Sequence, residues 1–157
     1  MSKNKLIIKN AFIITLLIGA FFMLSKLVGL ADNPALRIFN IAFVFVGVYL
    51  AIKENMYQYD DKKYITNFGV GLRTSILSVI LSIIGVIVYS KIINPDFFEI
   101  ISNSVLIGKN LNLFELIFTF AIEGLAISVI ASFMMMQYFK KDVLKEMKQQ
   151  RFDSVES

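Results

Sequence analysis

Glu123 is the residue in this chain best placed to do chemistry. It stands within the apolar stretch Ile117-Phe-Thr-Phe-Ala-Ile-Glu123-Gly-Leu-Ala-Ile-Ser128. About ten residues separate it from the outer end of the fourth apolar run, near residue 113, which is ~15 Å at a helical rise of 1.5 Å per residue. In a membrane-crossing helix this is close to the bilayer centre, where a lone carboxylate costs about 2.5–3.5 kcal/mol on insertion scales. Such a group has to be protonated, paired, or in contact with water. Three roles follow: an ion pair or hydrogen bond that holds helices together, a relay for a proton or cation, or a contact with a partner helix. Lys26 is the nearest candidate partner by depth, and Arg73 approaches from the opposite end of its own run. Glu115 and Arg37 share the outer region with each other, where they could pair or extend their charged ends to the surface.

Other chemistries are excluded by residue type. With no histidine and no cysteine, Ser-His-Asp and Cys-His catalysis, thiol redox chemistry and thiolate or imidazole zinc sites are ruled out. Asp60-Asp61 is an adjacent acidic pair, but Lys62 and Lys63 follow at once and no second acidic motif accompanies it, so it reads as a solvated loop rather than a magnesium site. Gly69-Val70-Gly71 lacks both the lysine and the preceding strand of a phosphate loop. No cofactor or metal is expected, and the chain reads as a non-enzyme.

Four long apolar runs must position these residues: about 10–30, 35–53, 68–93 and 113–139. Each is long enough to cross a bilayer, which takes roughly 20 mainly apolar residues. Helix is the only conformation open to them, since lipid offers no partner for unpaired backbone amides. A soluble bundle would carry amphipathic stripes with a charged outer face; these runs are apolar all round, in a chain that is 57% hydrophobic with a mean hydropathy of +0.69. The expected fold is therefore all-α and integral to the membrane, a single four-helix domain over 1–157. A signal peptide is the rival reading of the N-terminus, with Gly29 and Ala31 as a cleavage site. The first run is too long for one, at more than the usual ~7–15 apolar residues, and Lys26 interrupts its end.

Between the runs, Asp32-Asn33-Pro34 predicts a tight turn, with the proline in the first turn of span two. Tyr57, Tyr59 and Tyr64 are expected as anchors at headgroup level. Asn94 and Pro95 predict a stop and a new start, giving a short interfacial helix over Pro95–Ile107 between spans three and four. The tail, 140–157, reads as a helical continuation. Small residues recur at steps of four and three along span three (Gly71, Ser75, Ser78, Ser82, Gly85) and again along span four (Ala121, Gly124, Ser128, Ala131). Such stripes let helix backbones approach closely, with hydroxyls free to bond across the contact, either within the bundle or between copies of the chain.

The net charge of +4 is sorted by segment and gives no nucleic-acid signal. Lys3, Lys5, Lys9, Lys53, Lys62, Lys63, Arg73, Lys140, Lys141, Lys145, Lys148 and Arg151 fall on one side, and Lys26, Arg37, Lys91 and Lys109 on the other. Twelve against four predicts that both termini are cytoplasmic. The five basic residues of the tail are placed to attract anionic lipid, at ~1 kcal/mol each.

The stretches Tyr49-Leu50-Ala51-Ile52-Lys53, Tyr64 to Ser75 (Tyr-Ile-Thr-Asn-Phe-Gly-Val-Gly-Leu-Arg-Thr-Ser) and Lys91-Ile92-Ile93-Asn94-Pro95-Asp96-Phe97 carry a resemblance. The chain resembles the small four-span bacterial membrane proteins of domain-of-unknown-function family 4199, whose members have a longer polar segment between spans three and four. The resemblance implies a bacterial inner-membrane setting and supplies no activity and no functional residues. Two functions are carried forward: a non-enzymatic accessory or scaffold for a membrane or cytoplasmic partner, and a small oligomeric transporter or channel with Glu123 as its ionisable element.

Overall fold

The computed structural model describes residues 3–30, 34–93 and 112–156. Among the described residues there are four α-helices: α1 (Lys3–Leu27), α2 (Arg37–Gln58), α3 (Tyr64–Val88) and α4 (Leu113–Glu156). All four are long and apolar enough to cross a membrane. They alternate in direction, so the start of α1, the end of α2, the start of α3 and the Tyr138–Val143 part of α4 share one end of the bundle, called here the terminal end. α2 and α3 form the central pair and each contacts all three other helices, with α1 and α4 packed to either side.

The exterior decides the class. Leu16 is 67% exposed, Ile38 67% and Phe118 58%, while Asn10, Asn55, Asn67, Thr74, Ser75 and Ser128 are buried. A chain in water would lose free energy by this arrangement, roughly 25 cal/mol for each Å² of apolar surface left wet. In lipid it is the stable one, because tails solvate leucine as well as another leucine would and polar groups are better kept inside. The chain is thus built as a multi-pass helical membrane protein.

Helix ends differ from the expected runs where polar contacts extend them. α1 starts at Lys3 rather than near residue 10, because Lys3 and Lys9 reach across to Asp61 and Glu54, 2.6 and 2.5 Å away. It stops in a Schellman cap: the Leu30 amide donates to the Ser25 carbonyl (2.9 Å), the Gly29 amide to that of Lys26 (3.1 Å), and Gly29 takes φ 75°. Only glycine adopts that φ without steric cost. Gly29, which also fits the cleavage site of a signal peptide, therefore has a structural role in ending this helix.

Pro34 opens a 3₁₀ turn, Pro34–Leu36, that leads into α2. A π-helical turn, Tyr89–Ile93, ends α3. α4 runs on unbroken through the basic tail to Glu156. The interfacial helix expected over Pro95–Ile107 lies outside the described residues.

Glycine allows close approach at three contacts and not at a fourth. A Cβ on Gly71 would stand 3.1 Å from Ile52, Val48 and Ser132; one on Gly124 would stand 2.6 Å from both methyls of Val79; and one on Gly47 would overlap Ile14. Gly85 has nothing within 4 Å of its Cβ position. The buried hydroxyls bond mostly within their own helix rather than across contacts as the sequence suggested. Thr74 donates to the carbonyl of Val70, Ser75 to Gly71, Ser78 to Ser75 and Ser128 to Gly124, at 2.7–2.9 Å. The helix's own carbonyls are always within reach of a serine or threonine at i−3 or i−4. The half-buried Thr15 does both, donating to its own Ala11 carbonyl at 3.0 Å and reaching the Ser78 carbonyl of α3 at 3.4 Å.

Candidate functional site

Away from the terminal end, the four helices part around a partly open cavity of about 370 Å³. Its wall is mainly apolar (Ile18, Phe22, Val44, Val86, Phe120), with polar groups from every helix: Thr15 and Ser25 of α1, Asn40 of α2, Ser78 and Ser82 of α3, and Glu123 of α4. Local rules explain how they converge. On α3, Ser78, Ser82, Gly85 and Tyr89 follow steps of four, three and four and so share one face. On α4, Phe120, Glu123, Gly124 and Ile127 stand at i, i+3, i+4 and i+7 and likewise share one face. Gly124 brings its helix against Val79, so the carboxylate one residue earlier is delivered to the cavity wall instead of to lipid.

Lys26 does not line the cavity itself but reaches Tyr89, which does. Its ammonium donates to the Tyr89 hydroxyl at 2.8 Å and lies 5.3 Å from the centre of that ring. Tyr89 also meets Phe22 edge-on at 6.1 Å and packs with Val86 and Phe120 around the buried Leu116. The Oγ of Ser82 is buried without a hydrogen-bond partner. Chemically, a carboxylate in a mainly apolar, partly open chamber can hold a proton or a cation and can be screened from bulk water at the same time. Among the described residues, no three acidic side chains gather to hold a metal ion.

The other candidates are distributed differently. Glu115 closes a capping box at the start of α4: the Asn112 amide donates to its carboxylate and its own amide donates to the Asn112 side chain, both at 2.9 Å. It serves the helix terminus. Arg37 opens α2, and its side chain lies outside the described residues. Arg73 is exposed on the outer surface of α3, away from the cavity. Gly71 and Ser75 pack nearer the terminal end, Ser128 is buried one turn beyond Gly124, and Ser78, Ser82, Gly85 and Gly124 line the cavity with Glu123.

A second polar centre closes the terminal end. Asn55 donates to the Asn67 side-chain oxygen at 2.9 Å, and Asn67 donates to the carbonyls of Asp61 (2.6 Å) and Lys63 (3.0 Å), folding the short α2–α3 turn onto the core. Asn10 and Lys9 of α1 both hold Glu54. Asp60 is a solvated loop residue as expected, but Asp61 is not: its side chain is 16% exposed, pairs with Lys3 and accepts the Lys63 amide at 3.3 Å. Partial burial pushes the Asp61 carboxyl up. The Lys3 and Lys63 hydrogen bonds and the charges of both lysines outweigh that, so its pKa lies below the ordinary value of 3.8. Of the tyrosines expected at headgroup level, Tyr64 is half-buried and packs against the core cluster, whereas Tyr57 is 59% exposed. The sequence reading missed Asn10, Asn40, Asn55, Asn67 and Tyr89; an amide side chain inside or beside an apolar run was the available signal. The capping box was also legible, as Asn112-Leu-Phe-Glu115.

No family model, curated protein or solved structure matches the chain. The functional reading therefore comes from this geometry and from the motifs in the sequence.

Proposed function

We propose that the chain is a protein of the bacterial cytoplasmic membrane, with both termini inside the cell, that works without chemistry of its own as an accessory or scaffold for a membrane or cytoplasmic partner. One observation carries this reading. α4 has 44 residues and so extends about 66 Å, roughly twice the ~30 Å hydrocarbon layer. Val143, beyond the apolar span, is buried in the core cluster that includes Met56 and Phe139. The basic tail is thus seated on the bundle and extends from it as a stiff helix, suited to presenting lysines to a partner or to anionic lipid. The charge sorting and the motif resemblance support the setting.

Two measurements test this. A chain without native cysteine permits single-cysteine labelling, and Ser154→Cys should be protected in intact cells and labelled after lysis. Co-purification in mild detergent should recover a partner with the full chain and lose it when residues 145–157 are removed; a full chain that is always recovered alone would refute the scaffold reading.

The cavity favours a second reading, a small transporter whose pathway uses Glu123. Glu123→Gln in proteoliposomes should then abolish flux while leaving the fold intact. Equal flux in the two proteins would remove Glu123 from any such role.

A further inference from the structure

Near the terminal end, a lysine and four aromatic side chains line one groove. Tyr49, Lys53 and Tyr57 repeat at steps of four along α2, and Tyr138 and Phe139 face them from α4, around an open groove of about 310 Å³. Tyr49 stacks on Phe139 at 5.4 Å and meets Tyr138 edge-on at 5.9 Å. The Lys53 ammonium lies 5.6 Å from the centre of the Tyr49 ring. Among the described residues, no carboxylate lines the groove and Lys53 has no ion pair. Glu54, next in sequence, is turned away to Lys9 and Asn10. Lys140 and Lys141, both exposed, follow directly after Phe139. Among the described residues, no acidic side chain neutralises this positive charge.

The level of the groove indicates what neutralises it. Lys53 lies near the end of the α2 span, and Tyr138 and Phe139 near the end of the α4 span, which closes at Lys141. That is headgroup depth, where tyrosine and lysine are at home in both water and hydrocarbon. Phenol hydroxyls can donate to a phosphate beside the ammonium, and the ring faces can cover glycerol and the first acyl carbons.

We infer that this groove is a binding site for the phosphate of an anionic phospholipid, held by Lys53 with the hydroxyls of Tyr57 and Tyr138 and walled by Tyr49 and Phe139. It rests on the membrane reading and on the terminal end lying at a lipid surface, and it is independent of any protein partner.

The test uses the full chain in nanodiscs of phosphatidylcholine doped with phosphatidylglycerol, with bound lipid counted by native mass spectrometry after gentle release. Wild type should retain phosphatidylglycerol in preference to phosphatidylcholine. Lys53→Gln should weaken that retention by about tenfold, the loss of one charge-assisted contact, and Tyr138→Phe by a smaller factor. Lys91→Gln, an exposed lysine at the opposite end, should leave it unchanged. Equal loss in Lys53→Gln and Lys91→Gln would show diffuse charge attraction and overturn the site. So would release of the lipid by millimolar inorganic phosphate, which would make the groove a free-phosphate site. A chain that fails to float with vesicles would overturn the membrane reading and the site together; one that floats with no lipid preference would overturn the site alone.

Discussion

The two ends of the bundle use polar residues in opposite ways. At the terminal end, Asn10, Asn55, Asn67, Glu54 and Asp61 are tied to one another, to backbone carbonyls and to two lysines. Around Glu123, polar groups of the same kinds are spread over the wall of a 370 Å³ cavity. The lesson is that polar residues inside a membrane bundle are not one class. Where the loop is short and the helices touch, they weld the ends together; where the backbones separate, they line a chamber in which a charge can be placed.

Breaking the weld should have the largest effect. Asn67→Leu removes the donor for two loop carbonyls and the acceptor for Asn55, and should destabilise the protein by about 1–3 kcal/mol, read from unfolding in mixed micelles. The matching change at the chamber, Ser82→Ala, removes a hydroxyl that has no partner and should shift stability little. If the two variants cost the same, the contrast between the ends is wrong.

Packing gives a second pair. Gly124→Ala forces a methyl to 2.6 Å from Val79, a β-branched residue with one favoured helical rotamer, and should cost ~1–3 kcal/mol. Gly85→Ala has open space and should be neutral or stabilising by up to about 1 kcal/mol, as alanine is the better helix former. Next comes the capping box: Asn112→Ala should cost ~1 kcal/mol and fray the start of α4, measurable as faster amide exchange over its first turn.

The smallest effect is that of pH. Because the Asp61 pKa is lowered on folding, its ion pair contributes above the unfolded value and is lost as pH falls through the folded one. Melting temperature should therefore drop below pH of about 4, and Asp61→Asn should reduce this acid-dependent step, leaving the part carried by the Lys9–Glu54 pair. The effect is modest because Lys3 is nearly half exposed and screened by solvent.

Much of this architecture was legible in the residues. Four apolar runs with basic flanks specify four helices because lipid allows no other way to satisfy the backbone, and the small-residue steps on α3 and α4 identify faces that do pack at Gly71, Ser75, Ser78, Gly124 and Ser128. What was not legible was which carboxylate would do what. Glu115 and Glu123 look alike in sequence, eight residues apart in one helix, yet the first caps its own helix through Asn112 while the second lines the chamber. Asp60 and Asp61 are neighbours, yet one is solvated and the other clamps α1.

Composition and the length of the apolar runs were sufficient by themselves to set the class and the four candidate spans, because solvation by lipid acts on each segment independently of its neighbours. Only the tertiary structure decided where the helices touch and where they part. That depends on contacts between residues far apart in the chain, such as Val79 with Gly124, Lys3 with Asp61 and Tyr49 with Phe139, whose geometry no single segment contains.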